Sequence, residues 1–417
     1  MKYEDYVNLN YKPSKNDLIC EFYLETREHD LKRTAGGIAA ESSIGTWTET
    51  TTTKPYMMKL AATVFSLKKI NKNAANIKIA YPNDLFETGN LPNIMSSVAG
   101  NVFGMKDVKW LKLNDIIFPK NIAQSFRGPK YGIDGIRKIF KVKRPLIGTI
   151  VKPKLGLNTK DHALVAYKAW LGGCDIVKDD ENLSSQKFNK FEARLKETLK
   201  MKEKAEKETG EKKGYMINVT AETKEMLRRA KLVQDYGNEY VMVDIITVGW
   251  SALQTLRNEN FNLVLHAHRA GHAALDKSTK HGISMKVIAK LARMIGLDQL
   301  HVGTAVGKMF ETHEEVLENK KVLTEPFYGI KPVMPVASGG LHPLMIPQLY
   351  KIFGNDVILQ FGGGIHGHPL GTLAGAKAVR QALAATLEKE SLEDYANTKH
   401  FIELKTAIKH FSQDRRL

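Results

Sequence analysis

GGCDIVKDDEN, residues 172 to 182, carries an apolar run that reads as a buried strand and then, without a break, one lysine followed by three acids. A strand that ends in a polar cluster is what a parallel α/β fold places at its working edge, where the C-terminal strand ends meet the following loops. Seven other short apolar runs bounded by Gly, Asp or Pro follow the same plan: LIGTIVK before it, then YMINVTA, YVMVDII, FNLVLHAH, DQLHVG, PVMPVASG and DVILQFGG. Between most of them lie stretches with apolar residues at i, i+3 and i+4, such as SMKVIAKLARMIG before Asp298. Eight strand-helix units in roughly 290 residues predict a (β/α)8 barrel, a TIM barrel. An open doubly wound sheet competes, but no GxGxxG follows the first strand.

Residues 1–126 have a different texture, with DLICEFYLE and NIKIAYP as strands and LPNIMSSVAGNVF as a helix. The chain is thus read as α/β, with a small N-terminal α+β domain of ferredoxin-like type over 1–126 and a catalytic barrel over 127–417. Repeats, low-complexity tracts and Pro-rich linkers are absent from the sequence.

The composition, 43% hydrophobic and 26% charged, is that of a soluble globular protein with a sizeable core. No apolar run approaches the roughly 18 residues of a membrane helix, and MKYEDYVNLNYKPS lacks a secretory pattern. With only Cys20 and Cys174, no disulfide framework is implied and a reducing cytoplasm fits. The net charge of +17 is diffuse; its densest stretch, KETLKMKEKAEKETGEKK, mixes Lys and Glu at helical spacing, as an exposed helix laced with ion pairs does. No zinc-finger spacing, aromatic RNA-binding signature or basic arm accompanies it, which argues against nucleic acid as the partner.

Polar residues collect where the predicted barrel strands end. The first ends in Lys152-Pro153-Lys154 and the second in Lys178, Asp179, Asp180 and Glu181, with Lys178 and Asp180 on one face. Two carboxylates suit Mg²⁺, yet an ammonium beside them competes with a metal. Lys178 is therefore either a counter-ion or chemically altered. The fifth strand ends in His266, His268 and Arg269, with His272 beyond; the sixth gives His301 and a loop with Lys308; the last two end in Ser338-Gly339-Gly340 and Gly362-Gly363-Gly364. Glycine-rich loops after strands seven and eight hold phosphate in many barrels, and Arg269 and Lys308 can neutralise it. A strongly anionic ligand is expected.

These blocks resemble the large subunit of ribulose-1,5-bisphosphate carboxylase/oxygenase (RuBisCO). The resemblance runs nearly end to end, through AAESSIGTW at 39–47, GNVFG at 100–104, KPKLGL at 152–157, GGCDIVKDDEN, HAHRAGHAALD at 266–276, HVGTAVGK at 301–308, VASGG at 336–340 and QFGGGIHGHP at 360–369, and is closest to the form III, archaeal or microbial, type. It implies that Lys178 reacts with CO₂ to give a carbamate that binds Mg²⁺ with Asp180 and Glu181. It further implies that Lys152 handles protons on the reacting carbons, that Lys154 tunes it, that His268 orients hydroxyls, and that Lys308 closes over the substrate. Arg269, His301 and Ser338 would hold one end of ribulose 1,5-bisphosphate, and Gly339, Gly340, Gly362 and Gly363 the phosphate at the other. Glu41, Thr46, Trp47 and Asn101 match residues that complete the site from a neighbouring subunit. A homodimer, with higher assemblies of dimers and no required small subunit, follows from this. CO₂ and, in a side reaction, O₂ would be the gaseous substrates, and nucleotide (AMP) salvage is a source of the bisphosphate.

Three departures stand out: Ile150 where plant-type enzymes carry a hydroxyl, MFETHEEV after Lys308 in place of a glycine-containing continuation, and an end at Leu417 without the plant-type tail. The competing readings are a RuBisCO-like protein that enolises or isomerises another sugar phosphate, a metal-dependent amidohydrolase suggested by His266-Ala267-His268, and a basic binding protein. The amidohydrolase HxH belongs on a first strand, whereas here it lies on the fifth.

Overall fold

The structure, a computed structural model of the chain, describes residues 2–27, 30–306 and 311–413. Lys308 lies outside the described residues. In chain order the strands are β1 (Leu18–Thr26), β2 (Thr63–Lys69), β3 (Ala74–Tyr81) and β4 (Val108–Ile117), then β5 (Leu146–Ile150), β6 (Ile176–Lys178), β7 (Gly214–Asn218), β8 (Tyr240–Asp244) and β9 (Val264–His268). After β10 (Gly282–Ile283) come β11 (Gln299–His301), β12 (Met334–Ser338) and β13 (Ile358–Phe361).

The chain forms two compact units. The first comprises Met1–Arg127, Gly271–Met294 and Phe327–Ile330. Its sheet runs β10-β4-β1-β3-β2, and the helices Leu31–Glu41 and Leu91–Val98 fall between β1 and β2 and between β3 and β4. Strand order β4-β1-β3-β2 with βαββαβ connectivity is the ferredoxin-like pattern. Alternation drives it: Leu18, Cys20, Phe22 and Leu24 of β1 are buried on one face, with Ile77 and Ile79 of β3 and Leu111 and Leu113 of β4 also in the core. The expected helix over 91–103 stops at Val98: Ala99 at φ −131° and Gly100 at ψ −131° leave helical geometry, and a separate turn of 3-10 helix covers Asn101–Gly104. A single cut after residue 126 does not describe this unit. The segment from Gly271 returns to it because β10 pairs in parallel with β4, Gly282 opposite Lys112, and Lys112 Nζ donates to the carbonyls of Asp276 at 2.9 Å and Ser278 at 2.6 Å.

The second unit, Gly128–Ala270, Ile295–Pro326 and Lys331–Leu417, holds a closed parallel barrel in the order β11-β12-β13-β5-β6-β7-β8-β9. All eight strands read from the sequence are present. The strand starts Leu146, Ile176, Tyr240, Val264, Met334 and Ile358 pack with Ile133, Ile136 and Phe140 of the helix Gly132–Phe140, whose i, i+3, i+7 spacing gives one apolar stripe. The lower barrel is thereby filled, and chemistry is left to the upper strand ends. The Lys/Glu stretch forms the helix Phe191–Thr209, ended by Gly210 at φ 67°, with i,i+4 pairs Lys196–Glu192 at 2.9 Å and Lys207–Glu203 at 2.7 Å. No described helix is long and apolar enough to cross a membrane, and Cys20 and Cys174 are buried free thiols.

Candidate active site

The site begins where β6 ends. Register puts Lys178 beside Ile150 of β5 and Met216 of β7, with its side chain fully buried and its Nζ donating to the Asp179 carbonyl oxygen at 2.7 Å. Burial holds the Lys178 ammonium below the ordinary lysine range, opposed by Glu181, Asp180 and Asp179 and reinforced by Lys152. Asp180, on the same face, accepts from Lys152 Nζ at 2.6 Å. Glu181 follows at the turn, its Oε2 at 3.7 Å from His268 Nε2. Burial would raise this carboxyl, but His268 and Lys178 bring it below the usual carboxylate range. Lys154 Nζ donates to Asn182 Oδ1 at 3.3 Å.

Asp179, one residue out of phase, points the other way. It accepts from Arg194 Nε at 3.0 Å, Tyr215 OH at 2.7 Å and the Asn218 amide at 3.1 Å, and lies 3.1 Å from His162 Nε2. Although burial opposes ionisation, Arg194 and His162 hold this carboxyl far below the usual range. Asp179, the first acid of the cluster, is a structural anchor.

At β9, His268 is opposite Asp244 of β8, and its Nδ1 is 3.3 Å from Asp244 Oδ1, which also accepts from the Ala270 amide at 2.8 Å. His266 lies deeper, its Nδ1 2.9 Å from Gln299 Oε1 and its Nε2 3.0 Å from His301 Nε2. Burial drives both His266 and His301 well below the ordinary histidine value. Arg269, also buried, pairs with Glu311. Thr312 accepts from the Glu315 amide at 3.2 Å and Glu315 from the Thr312 amide at 2.8 Å, a capping box that starts the helix His313–Thr324. The THEE of the unusual MFETHEEV is thus a helix-start signal legible in the sequence.

On the facing arc, Ser338 closes β12, and Gly339 at φ 127° and Gly340 at φ 72° take backbone conformations that side chains disfavour. After β13, a Cβ on Gly362 would come 3.5 Å from Lys152 Cε, so this loop runs beside Lys152. Thr149 Oγ1 donates to the Phe361 carbonyl at 2.9 Å and lies 3.0 Å from His366 Nε2, whose Nδ1 is 3.1 Å from Thr372 Oγ1.

Glu41, Thr46, Trp47 and Asn101 belong to the first unit. Glu41 ends the helix Leu31–Glu41 and accepts from Tyr3 OH at 2.7 Å, and Trp47 is 82% exposed. Asp244, Gln299, Glu311 and Tyr3 were not singled out from the sequence. Asp244 alone left a signal there, as an acid at a predicted strand end.

Among the described residues, no three His, Cys, Asp or Glu side chains are grouped to hold a metal. The oxygen donors at the β6 end are Asp180 and Glu181, with the Lys178 amine buried between strands beside them. Two hard carboxylates suit Mg²⁺ once Lys178 ceases to be a cation.

Two family descriptions match the chain: "Ribulose bisphosphate carboxylase large chain, catalytic domain" over residues 132–411, and the N-terminal domain of the same chain over 5–122. The ribulose bisphosphate carboxylase of Methanosarcina mazei is 53% identical, covering 97% of this chain and 98% of that one. The enzyme of Methanocaldococcus jannaschii is 48% identical, covering 98% and 100%. An octameric RuBisCO from Pyrococcus horikoshii, solved with sulfate ion, superposes with a TM-score of 0.96 at 45% identity, covering 100% of this chain and 98% of that one. A dimeric archaeal RuBisCO from Hyperthermus butylicus gives 0.91 at 44% identity, covering 98% of each. With both domains matched and full-length relatives near half identity, the chain belongs to the ribulose bisphosphate carboxylase large chain family, a family of carboxylating lyases.

Proposed function

We propose that this chain adds CO₂ to carbon 2 of ribulose 1,5-bisphosphate and, with one water, splits the product into two molecules of 3-phosphoglycerate. The observation that carries this reading is the buried Lys178, with its depressed basicity, next to Asp180 and Glu181 at the end of β6. Carbamylation needs the neutral amine: the ammonium first loses one proton, the nitrogen lone pair attacks CO₂, a second proton leaves, and a cation has become a carboxylate-like ligand. When bound there, Mg²⁺ would stabilise the negative charge that develops on substrate oxygens as the carbon 3 proton leaves.

The chain's own groups supply the rest. Lys152, released from Asp180, moves protons at the reacting carbons, and Lys154 tunes its acidity. His268, held by Asp244, orients substrate hydroxyls. Arg269, His301 and Ser338 bind one phosphate, and the Gly339–Gly340 and Gly362–Gly363 backbones bind the other. Lys308, with Glu41, Thr46, Trp47 and Asn101 from a partner subunit, completes the enclosure. The dimer is the working unit, with higher assemblies of dimers available and no small subunit. The setting is cytoplasmic, O₂ competes with CO₂, and nucleotide salvage supplies the bisphosphate.

Purified protein given Mg²⁺ and labelled bicarbonate is expected to place label in 3-phosphoglycerate, and Lys178→Ala to abolish it. Exchange of the carbon 3 proton without labelled product would instead identify an enolising RuBisCO-like protein.

A further inference from the structure

Below the mouth of the barrel a line of four polar side chains, Tyr240, Gln299, His266 and His301, runs from β8 through β9 and β11 towards the anion-binding end. Gln299 Nε2 donates to Tyr240 OH at 3.4 Å, Gln299 Oε1 is 2.9 Å from His266 Nδ1, and His266 Nε2 is 3.0 Å from His301 Nε2. Tyr240, Gln299 and His266 are wholly buried and His301 nearly so.

The proton positions follow from donor chemistry. An amide oxygen only accepts, so His266 must carry its proton on Nδ1. Burial, together with the neighbouring Lys178, keeps this imidazole neutral, so its Nε2 is a lone pair and His301 must donate from Nε2. Burial also keeps His301 neutral, with His268, His266, Lys178 and Arg269 adding to the effect. Its Nδ1 is then a lone pair. A fully ionised phosphate monoester presents only acceptors, and a lone pair facing it repels.

Turning the Gln299 amide over reverses every link while keeping the same partners. Tyr240 O–H donates to Oε1, Nε2–H donates to His266 Nδ1, His266 Nε2–H donates to His301 Nε2, and His301 Nδ1–H faces outward. All bonds again point one way, now towards His301, so each polarises the next.

We propose that Gln299 sets the hydrogen-bond polarity of this chain, and that anion binding at His301 requires the amide to take the orientation that makes every member donate towards the anion. Gln299 is then a positioning residue that acts through His266. The proposal rests on reading His301 as a phosphate contact.

The probe is methyl phosphate at pH 8.5, a phosphate monoester that is then a dianion without an O–H, added to full-length protein with ¹⁵N-labelled histidine. In phosphate-saturated wild type, His301 is expected to be protonated on Nδ1 and His266 on Nε2. Gln299→Glu keeps the size and, while its carboxylate is ionised, offers only acceptors, so His266 should stay protonated on Nδ1 and the Kd for phosphate should rise at least about tenfold. The KM for the bisphosphate should rise with it, while kcat stays within about twofold, since uniform binding alone is lost. Tyr240→Phe, which removes only the terminal donor, should shift Kd in the same direction by less. Phosphate-saturated wild type with His301 protonated on Nε2, or on both nitrogens, overturns the idea. So does a Gln299→Glu protein that folds and binds phosphate as tightly as wild type or more tightly. These readouts need no turnover, so absence of carboxylation would sink the proposed function without touching this result.

Discussion

The Lys152 ammonium sits 2.6 Å from Asp180 Oδ2, one carboxylate of the proposed metal site already paired with the lysine proposed to move protons. A cation delivered to Asp180 must open this pair. Lys152 is 36% exposed, so solvent screens the interaction and its net worth is at most about 1 kcal/mol. Lys152→Met should therefore tighten Mg²⁺ binding by up to about fivefold while turnover is lost. Calorimetric Mg²⁺ titration in bicarbonate-saturated buffer checks this, and weaker binding by the variant would show that the two cations do not compete.

Asp179 and Asp180 are adjacent and chemically alike, yet their replacement by Asn should have opposite signatures. Asp179→Asn leaves the fully buried Arg194 facing a neutral amide, and breaking a buried pair costs about 3–5 kcal/mol. Asp180→Asn removes a proposed ligand and a half-exposed pairing, so activity should vanish with less than about 1 kcal/mol lost. Urea unfolding and carboxylation assays on both proteins separate the cases, and equal destabilisation would contradict the assigned geometry.

How much of this was readable beforehand depended on the range of the interaction. The eight barrel strands announce themselves through local apolar runs, and period two alone placed Lys178 and Asp180 together. Asp179's partners come from Arg194, Tyr215 and Asn218, on other elements, so no local pattern could separate it from its neighbours. β2 (TVFSLKK) is too short and too polar at its end to stand out, and β10 exists only because Gly282 and Ile283 meet β4, about 170 residues earlier. Arg269 looks like a ready phosphate ligand in sequence, but the fold also hands it Glu311 as a partner.

The depressed basicity of Lys178 gives a pH dependence. The reactive amine fraction grows as pH rises through the lysine's pKa, and burial sets that pKa below the ordinary value of 10.5. Carbamate formation should therefore begin at lower pH than for an exposed lysine and increase with pH. Carbon-13 spectra of protein under labelled CO₂, recorded against pH for wild type and Lys178→Arg, would reveal the signal in the first only. A signal that fell with rising pH would mean that the amine is not the titrating group.

Tyr3 donates to Glu41 Oε1 and is seated by close packing, since a Cβ on Gly36 would lie 1.9 Å from the Tyr3 carbonyl oxygen. Tyr3→Phe should cost about 1 kcal/mol from the lost hydrogen bond and leave Glu41 free to rotate. Gly36→Ala should displace the same segment through its backbone. If Glu41 completes a partner's site, both variants lower kcat/KM for carboxylation by a few-fold while phosphate binding to the barrel is unchanged. Unaltered kcat/KM in a folded Tyr3→Phe protein would remove Tyr3 from the positioning of Glu41.

His366 ties the loop after β13 to β5. Because Thr149 gives its own proton to the Phe361 carbonyl, His366 Nε2–H is the donor to Thr149, and Nδ1 accepts from Thr372. Burial pushes this imidazole down to about 4, with the Ile150 backbone opposing and Lys152 assisting. A folded-state pKa below the unfolded value of about 6.5 means that unfolding takes up a proton. Stability is then fully present above about pH 6.5 and drains away as pH falls towards about 4, by roughly 2–3 kcal/mol from this group. His366→Gln, which can still donate to Thr149, should unfold with a shallower acid limb than wild type, measured as the difference in urea midpoints between pH 7 and pH 4.5. Identical pH slopes would mean that the neutral histidine clip is not what acid breaks. A steeper loss in the variant would mean that the protonated ring is tolerated beside Lys152, against the burial seen for it.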